Sequence, residues 1–300
     1  MQLGMIGLGR MGANMAQRLL RGHQVVVFDR DAAATERVAK LGAVSSSSID
    51  DLISKLTPPR TIWLMIPSGD AVESAIDGLS RQLKSGDVVV DGGNSNYRES
   101  MRRAAKLKER GIEFVDVGTS GGVWGLENGY CLMIGGADAV VARLRPTFES
   151  LAPAADRGWL HVGPAGAGHF VKMVHNGIEY GMMQAMAEGF ALMQKKADFT
   201  LDMAKIADVW RHGSVVRSWL LDLTADALKA NPKLKGVAPH VNDSGEGRWM
   251  VADAIAKNVA IPVITLSLLE RIKSRDDDDF ANRILAVMRN KFGGHDLKAE

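Results

Sequence analysis

Several things that would set the class of a chain are scarce in this one. It has one cysteine, Cys131, in 300 residues. No intramolecular disulfide can form, and a cysteine-based metal site is excluded in practice. Cys131 lies in the apolar run Gly-Tyr-Cys-Leu-Met-Ile-Gly-Gly, so it is expected to be a buried structural thiol. Net charge is nearly absent, at +2. That argues against a nucleic-acid partner and against an anionic membrane surface, and any anion site must come from local placement. Long hydrophobic runs are missing too: Ile261 to Leu269 contains a proline and is too short to span a bilayer. No basic leader precedes the first apolar segment, so the chain is expected to be cytoplasmic. No cluster of His, Cys, Asp or Glu has metal-ligand spacing, so no metal is expected.

What is present is an ordinary globular composition, 46% hydrophobic and 24% charged. The N-terminal half alternates two periods. Strand-like runs are Gln2–Ile6, Val25–Phe28, Thr61–Ile66, Asp87–Asp91, Ile112–Val117, Tyr130–Ile134 and Trp159–Val162, with helical periodicity in most of the gaps. That alternation implies a parallel sheet with helices on both faces. After Gly163 the strand signal stops and helix follows helix. The expected architecture is an α/β Rossmann-type doubly wound sheet over residues 1–165, followed by an all-α domain over 166–300.

Gly7-Leu8-Gly9-Arg10-Met11-Gly12 fits G-x-G-x-x-G directly after the first strand and at the start of a helix. Gly7 allows the tight turn, Gly9 lets backbone approach a pyrophosphate, and Gly12 lets helix and strand pack closely. Asp29 follows the second strand, where a carboxylate accepts hydrogen bonds from an adenosine ribose diol and repels a 2′-phosphate. This favours NAD. Arg30 beside it can meet a 2′-phosphate, which keeps NADP open. Ile66 and Pro67 at the end of the third strand-like run, and Asn94 in Asp91-Gly-Gly-Asn94-Ser, complete the cofactor candidates. Ser120-Gly121-Gly122 is a further glycine loop at a strand end, where ligands bind in open α/β sheets.

The densest signal is Gly-Ala-Gly-His-Phe-Val-Lys172-Met-Val-His175-Asn176-Gly-Ile-Glu179-Tyr180. Lys172, His175, Asn176 and Glu179 recur at i, i+3, i+4 and i+7 and share one helical face. A base, an acid and two hydrogen-bonding groups on one rigid rail suit proton transfer. The helix continues apolar almost all round, through Met182, Met183 and Leu192, so it is expected to be buried. Arg248, Arg271, Arg289 and His295 are the later basic candidates; singly, each reads as a solvated charge.

These pieces resemble the decarboxylating 6-phosphogluconate dehydrogenases. The likeness is carried by Gly-Leu-Gly-Arg-Met-Gly-Ala-Asn-Met-Ala, Asp-Gly-Gly-Asn-Ser, Gly-Thr-Ser-Gly-Gly, the Lys172-to-Tyr180 helix and the tail Phe-Gly-Gly-His. It spans nearly the whole chain and points to the short-form branch. The resemblance implies oxidative decarboxylation of 6-phosphogluconate in the pentose phosphate pathway. It makes Lys172 the general base and Glu179 the general acid. It puts Asn94, Ser120, Gly121, Gly122, His175, Asn176, Tyr180, Arg248 and Arg271 on the substrate. It also implies a homodimer or homotetramer in which Arg289 and His295 reach a neighbouring subunit's substrate. A non-decarboxylating β-hydroxyacid dehydrogenase of the hydroxyisobutyrate type shares the fingerprint and the Lys-x-x-x-Asn helix but needs no second acid. A dinucleotide sensor without turnover accounts for the fingerprint only.

Overall fold

The computed structural model describes residues 1–276, 279–293 and 297. The chain divides into two compact units, Met1–Asn176 and Gly177–Glu300.

The first unit is built on one sheet. Its strands are β1 (Gln2–Ile6), β2 (Gln24–Phe28), β3 (Val44–Ser45), β4 (Thr61–Leu64), β5 (Val88–Asp91), β6 (Glu113–Ser120), β7 (Cys131–Gly135) and β8 (Trp159–Gly163). They lie in the order β3-β2-β1-β4-β5-β6-β7-β8. Helices α1 (Arg10–Leu19), α2 (Ala32–Ala39), α3 (Ile49–Ser54), α4 (Asp70–Ser80), α5 (Tyr97–Lys108), α6 (Gly125–Asn128) and α7 (Asp138–Leu151) fill the connections. Side chains alternate across the strands. Val25, Val27, Val88 and Val90 join α1 and α7 in one core, while Val26, Val89 and Phe114 join α3, α4 and α5 in the other. The strand order reverses between β1 and β4, which pair in parallel. That switch point, outside the carboxyl ends of the strands, is where such sheets leave a crevice.

The sheet departs from the expected all-parallel form in one place: β7 is antiparallel to β6, with Ser120 opposite Cys131. Only Gly121 to Tyr130 separate the two strands, and that is shorter than the crossover a parallel pair needs. The register brings Cys131 to the strand's start, where it is exposed rather than buried. The short β3 and α3 lie in a segment where the sequence showed no element, because a two-residue strand has no period to read.

The second unit is helical. Helix α8 (Ala167–Lys195) starts in the first unit, and α9 (Met203–Arg211), α10 (Trp219–Ala230), α11 (Glu246–Ala256), α12 (Pro262–Lys273) and α13 (Phe280–Gly293) follow. Ala207, Leu221, Ala225 and Leu228 form a small core, against which Met186 and Phe190 of α8 pack. The expectation that all of α8 is buried does not hold. Met182, Met183 and Leu192 are 40%, 39% and 74% exposed, since so small a core covers only one side of the helix. No helix among the described residues is long and apolar enough to cross a membrane.

Candidate active site

The glycine loop after β1 is shaped by close contacts. Gly7 has φ +94°, and a Cβ there would meet Met65 O at 2.4 Å and Ile66 Cγ2 at 2.7 Å. A Cβ on Gly12 would lie 2.0 Å from Gly7 O. Both positions therefore exclude any larger residue. A Cβ on Gly9, in contrast, would meet nothing within 4 Å. Gly9 caps α1 without a side chain, and the first turn, which includes Arg10 and Met11, has no acidic residue. Open space in front of an uncapped helix N-terminus suits an anionic pyrophosphate.

Asp29 ties this loop to the end of β2. Its carboxylate accepts from Leu8 N–H at 2.6 Å and from Asp31 N–H at 2.8 Å. Arg30 beside it is exposed. Ile66 and Pro67 follow β4 on the other side of the crevice, and Ile66 O would lie 2.5 Å from a Cβ on Gly93. Gly92 is equally confined, with Trp63 Nε1 at 2.4 Å from its would-be Cβ. The Gly-Gly pair is thus required by close approach, of the Trp63 and Met65 side chains at Gly92 and of the Ile66 carbonyl at Gly93, and is not an ordinary turn.

Asn94 has φ +54° and bridges two loops. Its Nδ2 donates to Thr119 O at 3.2 Å, and its Oδ1 accepts from Thr119 N–H at 2.9 Å. This holds the Asp-Gly-Gly-Asn loop against the end of β6, next to Ser120, Gly121 and Gly122. Gly121 and Gly122 have φ +137° and +53°.

Lys172 is buried, at 5% exposure. Its Nζ donates to Asn176 Oδ1 at 2.7 Å and lies 3.5 Å from His175 Nδ1, itself 3.0 Å from Asn176 Oδ1. Three of the four stripe residues are therefore joined as the helical spacing predicts. Glu179 follows on the same helix.

In the second unit Tyr180, Arg248 and Arg271 come together. The Arg271 guanidinium carbon stacks 3.6 Å above the Tyr180 ring, and its Nη1 donates to Asn242 O at 2.9 Å. The Tyr180 hydroxyl accepts from Ser244 N–H at 3.2 Å. Arg248 donates from Nε and Nη2 to Asp243 at 2.9 Å and 3.0 Å. Gly247 gives Tyr180 clearance, since a Cβ there would lie 2.8 Å from the ring. Arg289 is exposed on α13, and His295 lies outside the described residues.

The NAD binding domain of 6-phosphogluconate dehydrogenase matches residues 2–163, and the 6-phosphogluconate dehydrogenase C-terminal domain matches residues 168–295. An NAD(+)-dependent, decarboxylating 6-phosphogluconate dehydrogenase of Haloferax volcanii is 44% identical over 299 residues, covering 99% of this chain and 98% of its own. The chain belongs to the 6-phosphogluconate dehydrogenase family. The solved 6-phosphogluconate dehydrogenase of Plasmodium falciparum superposes with a TM-score of 0.85 at 26% identity, over 100% of this chain and 66% of that one. The chain thus spans just under two thirds of that relative's length. A 3-hydroxyisobutyrate dehydrogenase of Mycobacterium tuberculosis, at 22% identity and TM-score 0.75 over 92% of this chain and 94% of its own, shares the fold.

Some residues that shape this family member's site were not singled out in the sequence. Gly118 in β6 makes room for the Lys172 stem: a Cβ there would lie 2.4 Å from Lys172 Cβ. Asp116, fully buried, accepts from Gly166 N–H at 2.6 Å and His169 N–H at 2.8 Å at the start of α8. An acid interrupting the apolar run Phe114-Val-Asp116-Val was the available signal.

Asp243 and Arg275 were missed as well. Arg275 Nη2 donates to Asp243 at 2.8 Å, so one carboxylate holds two guanidinium groups. The hydrogen bonds from Arg248 and, after it, Arg275 outweigh burial and hold the Asp243 carboxyl down at about 2, against an ordinary 3.8. A depressed folded-state value contributes stability that is complete above the unfolded value and lost as pH falls through the folded one. Asp243→Asn is therefore expected to destabilise by a constant amount above about pH 5, with the gap closing between about pH 4 and 2. Denaturant melts of both proteins across that range would show it. A gap independent of pH would mean that the carboxylate's charge is not what binds the arginines.

Proposed function

We propose that the chain converts 6-phospho-D-gluconate to D-ribulose 5-phosphate and CO2 in the pentose phosphate pathway, with NAD as the preferred oxidant. The observation that carries this is Lys172: buried, fixed by Asn176 and seven residues before Glu179 on one helix. In this reading residues 1–165 hold the cofactor, and residues 166–300 supply most substrate contacts and the oligomer surface. The open, uncapped start of α1 at Gly9 fits a dinucleotide pyrophosphate, and Asp29 fits its adenosine ribose. Bound NAD supplies the acceptor for the hydride leaving C3 of the substrate.

The chain's own residues move the protons. Lys172, neutral when substrate binds, takes the C3 hydroxyl proton as the C3–H bond breaks. The resulting β-keto acid breaks its C1–C2 bond, and the electron pair passes toward the C3 oxygen. Lys172, now an ammonium, stabilises that oxygen. Glu179 then gives a proton to the enediol carbon that becomes C1 of the product. Asn94, Ser120, Gly121, Gly122, His175 and Asn176 orient the polyol, while Tyr180, Arg248 and Arg271 meet the phosphate. We also assign a homodimer or homotetramer, with Arg289 and His295 serving a neighbouring subunit. The exposed Phe280, Leu285 and Met288 on α13 support it, and a monomer in sedimentation equilibrium would remove it.

The test is an assay with 6-phosphogluconate that follows reduced cofactor and CO2 together, with NAD and NADP in parallel. One CO2 is expected per cofactor reduced, with a higher kcat/KM for NAD. Asp29→Asn should shift that ratio toward NADP by about tenfold or more. Cofactor reduction without CO2 would point to the hydroxyisobutyrate-type reaction. A wild type already favouring NADP would overturn the role given to Asp29.

A further inference from the structure

The start of α8 lacks a cap of its own. Gly166 is its cap residue: its carbonyl accepts from Phe170 N–H at 2.9 Å, and it has no side chain to offer. A Ser, Thr or Asp would normally stand here and accept from the third helical N–H. None fits. Gly166 has φ +95°, and a Cβ would lie 2.5 Å from Met101 Cγ and 3.2 Å from Tyr97 O. The cap is instead supplied from β6, 50 residues away in sequence, where Asp116 accepts from both Gly166 N–H and His169 N–H. Those are the cap and third-residue donors, and a carboxylate there also faces the positive end of the helix.

A second tether flanks the first. His169 is buried, and its Nδ1 lies 2.7 Å from Ser100 Oγ on α5. Gly168, between them, lets the helix settle onto the sheet: a Cβ there would lie 2.5 Å from Met133 O and 2.6 Å from Asp116 O. Strand periodicity does the rest. Asp116, Gly118 and Ser120 alternate onto one face of β6. The first caps the helix, and the second, by lacking a side chain, leaves room for the Lys172 stem. The third is a substrate candidate.

We propose that Asp116, with Ser100 as a second tether, is the positioning residue for Lys172. It fixes the height and rotation of the first turns of α8 relative to β6, and so sets where Lys172 Nζ stands. This rests on Lys172 being the base of the reaction proposed above. Misplacing a reacting group by about an ångström costs on the order of a hundredfold in rate. The cofactor loops and most of the substrate candidates (Asn94, Ser120, Gly121, Gly122, Arg248 and Arg271) stand on other elements, so the loss should fall mainly on kcat.

Asp116→Asn keeps the volume but turns one acceptor into a donor facing an N–H. It should lower kcat by about 10- to 100-fold, with KM for both 6-phosphogluconate and NAD within about threefold. The deuterium isotope effect on kcat with substrate labelled at C3 should rise, because hydride transfer becomes more rate-limiting. A merely structural role would leave kcat per folded molecule and the isotope effect unchanged, and that result overturns the proposal. If Asp116→Asn does not fold, Ser100→Ala carries the same test with a loss of about three- to tenfold in kcat; an unchanged kcat and isotope effect there overturns it equally. A wild type inactive on 6-phosphogluconate would defeat the functional reading alone. The clamp is then read without turnover, from acetylation of Lys172 relative to the exposed Lys84. The ratio should rise about threefold or more in the folded variant, and an unchanged ratio overturns the clamp.

Discussion

Lys172→Ala is expected to lower kcat by about two to four decades, the range attributed to a positioned general base. Cofactor affinity should barely change, because the residues proposed for the dinucleotide lie in the loops after β1, β2, β4 and β5, not on α8. The fold should also survive. Lys172 is buried, but its stem packs over Gly118, where an alanine Cβ takes the place of the lysine's own. The Asn176 amide, which accepts from Lys172 Nζ at 2.7 Å, keeps His175 Nδ1 at 3.0 Å. Loss of activity with an unchanged melting curve and unchanged NAD titration is therefore the expected pattern. Partial recovery with a small primary amine, which could enter the space left by the side chain, would identify the missing group as a base. Near-normal turnover in Lys172→Ala would remove it from the mechanism, and with it the ammonium that stabilises the oxygen during decarboxylation.

How much of this was legible in the sequence depended on how local the physics was. The glycine fingerprint was legible because its spacing is local: Gly12 is confined by the carbonyl of Gly7 within the same motif, and Gly9 stands open at the start of α1. The Lys172 stripe was legible because a helix maps i, i+3 and i+4 onto one face, and Lys172, His175 and Asn176 do meet. Contacts between distant segments were not legible. Nothing around Gly166 says that its cap comes from Asp116, since the two meet only once β6 and α8 are placed side by side. The same holds for Asp243, whose significance depends on Arg275 arriving from the end of α12. The apolar second half of α8 misled for a related reason. Hydrophobicity asks for cover but does not say what provides it, and among the described residues Met186 and Phe190 are the ones in that half that pack against a core. The reversed β7 could have been anticipated from the brevity of the loop before it, a signal of length that hydrophobic periodicity does not carry.

Arg271→Ala is expected to reduce kcat/KM for 6-phosphogluconate by about a hundredfold or more, the usual cost of removing one partner of a hydrogen-bonded charge pair. The geometry explains why Arg271 is ready for a dianion. Its guanidinium carbon lies over the Tyr180 ring, 3.6 Å from the ring centre, and Nη1 is anchored to Asn242 O at 2.9 Å. Stacking and one carbonyl neutralise none of its charge. Arg248 and Arg275 share the single carboxylate of Asp243, which leaves one net positive charge for the pair. Arg271→Lys should recover at most about tenfold, because an ammonium has neither the planar fork nor the stacking. Unphosphorylated gluconate separates a phosphate contact from a structural role. Wild type should turn it over poorly, and Arg271→Ala should change that poor rate by less than about threefold, since the partner of Arg271 is already missing from the substrate. Equal losses on both substrates would instead mean that Arg271 acts by keeping Tyr180 and the Asn242–Ser244 loop in place. The phosphate would then have to be met by Arg248, by Arg275 or from another subunit.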